Sequence, residues 1–140
     1  MRPGDTLLIQ DGTYTEPIQP LVAGQPGAPV TIKAVTDGKV IIDGQGTTIP
    51  LKLGDNWPGD NRSYITVEGI VARNGTEAAV RIRGDHITLR RVSAHNAGLR
   101  TNSSVMLVAW SSDVLLEDVI AAGTGRKSIL IFTSERVTVR

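Results

Sequence analysis

Four segments of this chain superimpose without a gap, and that recurrence constrains the fold more than any other feature. They are Ile65-Thr66-Val67-Glu68-Gly69-Ile70, Ile87-Thr88-Leu89-Arg90-Arg91-Val92, Val114-Leu115-Leu116-Glu117-Asp118-Val119 and Val137-Thr138-Val139-Arg140. Their starts lie 22, 27 and 23 residues apart. That spacing is too long for simple hairpins, and no helical periodicity fills the intervals. One solenoid coil per copy is the economical reading.

The alternation inside each copy says how the coils stack. Side chains of a strand point alternately to opposite faces. Ile65, Ile87, Val114 and Val137 therefore form one inward column, and Val67, Leu89, Leu116 and Val139 form the next. Thr66, Thr88 and Thr138 point outward between them, with Leu115 as the exception. Beside the bend at Gly69, Arg91 and Asp118, the outward column runs Glu68, Arg90, Glu117, Arg140. Its signs alternate, so slipping one coil would bring like charges together, and the ladder helps to fix register. After the bend come Ile70, Val92 and Val119, then Ala72, Ala94 and Ala121, where the coil narrows. Asn74 and Asn96 share the next corner, with Gly123 in the third copy.

A further short apolar strand precedes each copy: Pro50-Leu51-Lys52-Leu53, Val80-Arg81-Ile82-Arg83, Leu107-Val108-Ala109-Trp110 and Leu130-Ile131-Phe132-Thr133. Three short parallel strands per coil predict an all-β, right-handed parallel β-helix of about four to five coils, forming a single domain over residues 1–140. Thr6-Leu7-Leu8-Ile9, Val30-Thr31-Ile32-Lys33 and Val40-Ile41-Ile42-Asp43 open the stack. A leucine-rich repeat fails, because no Leu-x-x-Leu-x-Leu pattern recurs. With Val80, Leu107 and Leu130 placed inward, Val108 and Ile131 form an exposed apolar strip beside Trp110. A register shift of one residue is the alternative.

Composition fits this fold and narrows the function. Glycine is plentiful at 15 residues and aromatics are scarce at 4%, which suits β-branched packing with many tight turns. Fifteen basic residues against 14 acidic give a net charge of +1, and no basic tract interleaves with aromatics, so nucleic acid is not an expected partner. The absence of cysteine excludes disulfides, thiolate metal sites and a cysteine nucleophile. No apolar run approaches a membrane span, so no membrane partner is expected. The opening Met1-Arg2-Pro3-Gly4-Asp5 lacks the apolar core of a signal peptide.

Pro3-Gly4-Asp5-Thr6-Leu7-Leu8-Ile9, Asp11-Gly12-Thr13-Tyr14, Ala28-Pro29-Val30-Thr31-Ile32-Lys33-Ala34 and Gly38-Lys39-Val40-Ile41-Ile42-Asp43-Gly44 resemble the first coils of β-helices in the pectate lyase-like superfamily. The likeness is greatest to the group holding alginate lyases and chondroitinase B. It implies a polysaccharide-acting parent that is secreted or extracytoplasmic. It also implies a capping helix before the Pro-Gly-Asp segment, and further coils that carry the Lys/Arg base and the calcium-binding acids. The chain starts at that segment and stops inside a strand, so it is expected to lack the capping helix, to be truncated at the C-terminus, and to be a fragment of a longer β-helix. Calcium is implied by the resemblance alone; the residues themselves call for no cofactor.

Lyase chemistry on a uronate needs a cation at the carboxylate, a base at the C5 proton and assistance to the leaving oxygen. The richest polar edge is the set of loops returning to the next coil, with Arg73, His95, Arg100, Arg126 and Lys127. Stacked along the helix axis, these residues are candidates to bind an acidic polysaccharide, arginines gripping carboxylates. Solvated loop charge is the commoner role for such residues. Trp57 is a candidate to stack on a sugar face, or else it covers the flank of the helix. Asp55, Asn56, Asp60 and Asn61 lack the order of a calcium loop and read as a capped turn. No residue is assigned as catalytic. The expected function is a scaffold module from a polysaccharide-acting protein, not catalytic by itself and at most binding an acidic glycan. The alternatives are a structural or engineered solenoid that self-associates end to end as a homo-oligomer through uncapped ends, and a small uronic-acid lyase.

Overall fold

The structure, a computed structural model, describes residues 1–54, 62–99 and 102–140. Trp57, Arg100 and the acidic loop at Asp55, Asn56, Asp60 and Asn61 lie outside the described residues. Fifteen strands and no helix are present among the residues described. The first coil holds β1 (Thr6–Ile9) and β2 (Gly12–Tyr14); the second holds β3 (Val30–Ala34), β4 (Val40–Asp43) and β5 (Leu51–Leu53). The third holds β6 (Ile65–Glu68), β7 (Ile70–Gly75) and β8 (Val80–Ile82). The fourth holds β9 (Ile87–Arg90), β10 (Ser93–Ala97) and β11 (Ser104–Ala109). The fifth holds β12 (Ser112–Glu117), β13 (Ile120–Ala122) and β14 (Lys127–Phe132), and β15 (Glu135–Val139) follows.

These strands stack into three parallel sheets, as expected of a parallel β-helix. The first has the order β1-β3-β6-β9-β12-β15, the second β2-β4-β7-β10-β13 and the third β5-β8-β11-β14. In the first sheet Ile65 pairs with Ile87 and Val67 with Leu89, and the columns continue through Leu116 to Val139. Ile32, Val67, Leu89 and Leu116 are buried at the centre of this stack. In the second sheet Ala72, Ala94 and Ala121 share one register. Small side chains there let the wall approach the large residues opposite.

Each coil turns at single residues in the left-handed region, and these line up between coils. Gly69 (φ 70°), Arg91 (φ 50°) and Asp118 (φ 52°) form the bend after the first sheet. Asn74 and Asn96 (both φ 56°) form the corner after the second. The ladder continues around the bend: the Gly69 N–H donates to Arg90 O at 3.0 Å, and the Arg91 N–H to Glu117 O at 3.0 Å. Glycine accepts this conformation at no cost from a Cβ, and asparagine tolerates it better than most residues.

The third sheet departs from the expected register by one residue. Val80 pairs with Met106, not Leu107, and Met106 pairs with Ile129; Ile82, Val108 and Ile131 form the next inward column. Met106 and Val108 are fully buried. The outward positions are therefore Arg81, Leu107 and Leu130, then Arg83, Ala109 and Phe132. Val108 and Ile131 do not form an outer strip. Ile131 is exposed because no later coil of the described chain covers it.

Among the described residues no helix is long and apolar enough to cross a membrane.

Candidate functional site

Among the described residues the loop-edge cations do not form one row. Arg73 and His95 sit opposite each other on the outer face of the second sheet, in the same column as Ala122. Arg73 continues this column down to Asp43, and its Nε donates to Asp43 Oδ2 at 2.8 Å. Asn74 Nδ2 donates to Asp43 Oδ1 at 3.0 Å, and Asn96 Nδ2 to Asn74 Oδ1 at 3.3 Å. The chain of amides ends where the Thr124 N–H donates to Asn96 Oδ1 at 3.0 Å. The backbone N–H of Gln45, followed by the Asn74 amide and Arg73, holds the Asp43 carboxyl below its ordinary pKa. These hydrogen bonds tie coil to coil, which makes Arg73 part of the framework.

Arg126 and Lys127 lie elsewhere, at the entry to β14. There they line an open groove of about 600 Å³ on the outer face of the third sheet. The floor of the groove is Leu107, Ala109 and Leu130, the outward residues set by the corrected register. One end carries Arg126, Lys127, Glu77, Asn102 and Ser103; the other carries Arg83, Trp110 and Phe132. The Trp110 and Phe132 rings meet edge to face, with centroids 5.6 Å apart and planes at 86°. The Arg83 guanidinium lies 4.9 Å from the centroid of the Trp110 ring. Trp110 is 47% exposed and Phe132 51%. Two large aromatics left half in solvent, beside cations, are the kind of surface that marks a binding site.

Sequence reasoning reached Arg126 and Lys127 from loop charge but missed Arg83, Trp110 and Phe132 as members of the same site. The available signal was Trp110 beside the apolar run of β11, and the register error hid it.

Electrostatics favour an anionic ligand. Three cationic side chains, Arg83, Arg126 and Lys127, face the groove against one acid, Glu77. Among the described residues no three or more His, Asp or Glu side chains gather to hold a metal ion. The calcium implied by the resemblance finds no such ligand set among the described residues.

A second cluster lines the corner before the first sheet. Tyr64 and His86 stack face to face at 4.3 Å, His86 Nε2 lies 3.7 Å from Asp113 Oδ2, and Arg136 Nε donates to Asp113 Oδ1 at 2.6 Å. The hydrogen bond from Arg136 lowers the Asp113 pKa. All four residues have positive φ and stack one per coil, so this cluster too knits corners together.

A family model described as Chondroitinase B matches residues 1–107. The match ends within β11, so Trp110, Arg126, Lys127, Leu130 and Phe132 lie beyond it. Among solved structures the chain is similar to a PL6 family polysaccharide lyase from Pseudopedobacter saltans, with a TM-score of 0.53 and 15% identity. The alignment covers 94% of this chain and 32% of that one, so this chain spans about a third of the lyase's length. At that identity the likeness is one of fold. No curated protein matches the chain.

Proposed function

The chain belongs to the chondroitinase B family, and on that premise we propose that it is a β-helix module that holds an acidic polysaccharide in the groove of the third sheet without cleaving it. The observation that carries this reading is the meeting of Arg126 and Lys127 with Trp110 and Phe132 around one groove. Cations attract and orient carboxylates, and apolar floor and rings provide the contact area.

Affinity electrophoresis tests the reading. In gels containing alginate, pectate or chondroitin the protein is expected to be retarded, and in gels of a neutral glucan it is not. The retardation weakens with salt and with Arg126→Ala plus Lys127→Ala. Equal mobility in acidic and neutral gels would remove the proposal. Incubation with the same polymers should give no ultraviolet absorbance from unsaturated uronate. Its appearance would replace the binding module with a small lyase.

A second property rests on the end coils. Leu7 (44% exposed), Ile131 (43%) and Val139 (49%) belong to inward columns yet face solvent. As these 140 residues, the protein offers both an apolar cross-section and unpaired strand edges to a second copy. We propose that the 140-residue polypeptide by itself associates end to end, visible as a sedimentation coefficient that rises with concentration. A strict monomer across the series would rule it out.

A further inference from the structure

We infer that the groove is two-ended, with a subsite for the apolar face of a sugar ring at Trp110 and Phe132 and a carboxylate subsite at Arg126 and Lys127. A bound oligosaccharide then runs along strands β11 and β14, in the direction of the coils and not up the helix axis. This rests on the acidic-glycan reading above and adds the ligand's orientation and shortest length to it.

The two kinds of contact are segregated. Arg126 and Lys127 stand where β14 begins, and Phe132 ends the same six-residue strand, about 16 Å away along the chain. Trp110 sits on the neighbouring coil beside Phe132, and its N–H donates to Phe132 O at 3.2 Å. The aromatic corner is therefore fixed by the same backbone ladder as the floor. Between the ends lies the floor of Leu107, Ala109 and Leu130, with Leu107 and Leu130 paired across the strands, whose side chains offer area and no hydrogen bond. A pyranose has an apolar C–H face and a polar rim, and a uronate adds one carboxylate to that rim. A single such residue reaches one end of the groove or the other. A chain of them satisfies both ends only when it lies along the strands. Among the described residues the loop edge along the axis does not provide an equivalent row, because Arg73 stands on the second sheet and is drawn to Asp43 beside it.

The test uses the full 140-residue chain carrying Trp57→Phe, so that indole emission reports Trp110 alone. Uronate oligosaccharides of increasing length, from the monosaccharide upward, are titrated against this emission. Affinity should rise in a step once the oligosaccharide spans both ends. Phe132→Ala should weaken the longer ligands about tenfold while keeping their salt dependence. Arg126→Ala plus Lys127→Ala should remove the salt dependence. Phe132→Leu, which keeps an apolar side chain and removes the ring, guards against a folding artefact and should also lose the step. If acidic oligosaccharides bind but Trp110 emission stays constant and both Phe132 variants bind as the parent does, the two-ended groove is wrong and the acidic-glycan reading stands. If no acidic oligosaccharide binds by emission or by calorimetry, both fall.

Discussion

Arg90 Nε on the fourth coil donates to Glu117 Oε2 on the fifth at 2.7 Å. The same guanidinium lies 3.8 Å from Glu68 on the third coil, and Glu68 in turn lies 3.3 Å from Lys33. Arg140 Nη2 closes the other end on Glu117 at 2.9 Å. Arg90 thus joins two acids in a ladder that climbs five strands of the first sheet. Arg90→Glu puts three acids in succession and should lower the urea midpoint clearly, whereas Arg90→Ala should lower it slightly because the side chain is half exposed. Raising salt should narrow the gap between the two variants. Identical midpoints for both would remove the ladder's role in register.

Acid should weaken the fold through the same residues. Hydrogen bonds from Arg90 and then Arg140 hold the Glu117 carboxyl below its ordinary pKa, and Arg136 does so for Asp113. A carboxyl with a depressed folded-state pKa binds its proton more weakly when folded. Its stabilisation is complete above the ordinary carboxylate range of about 4 and is lost as pH falls below it. Thermal unfolding from pH 7 to pH 3 should show that decline, with a shallower slope for Glu117→Gln. An equal slope in that variant would assign the acid sensitivity elsewhere.

Asn96 holds two structural roles that substitution can separate. It adopts φ 56° and both accepts and donates amide hydrogen bonds between coils. Asn96→Gly keeps the backbone conformation and loses the bonds, costing about 1 kcal/mol. Asn96→Ala loses both, costing about 2 kcal/mol. Denaturant unfolding in which alanine matches or exceeds glycine would show that the left-handed corner is not a constraint.

Core packing predicts a contrast between the two walls. Leu89 is fully buried between Val67 and Leu116, so Leu89→Ala should cost about 2–5 kcal/mol. Ala94, fully buried between Ala72 and Ala121, has no room to grow, and Ala94→Leu should cost about 1–3 kcal/mol by overpacking. A neutral Ala94→Leu would mean that the alanine wall is not tightly packed.

The sequence made the first sheet legible because its strands alternate. Ile65-Thr66-Val67-Glu68 permits one inward face, so the columns, the Gly69/Arg91/Asp118 bend and the charge ladder all follow from superimposing the copies. The second sheet was legible at Ala72, Ala94 and Ala121 because it starts a fixed distance after that bend. The candidate site was only half legible. Arg126 and Lys127 stood out by charge, but the run Val105-Met106-Leu107-Val108-Ala109-Trp110 has no polar residue to mark a face.

The sequence by itself determined the coil and its register wherever the alternation of faces leaves one arrangement. Only the tertiary structure decided how the third sheet is seated. The loop before β11 is longer than those before β8 and β14, so the strand is free to slide by one residue until a neighbour stops it. Met106 packing inward between Val80 and Ile129 is that stop. It turns Leu107, Leu130 and Phe132 outward and so creates the groove.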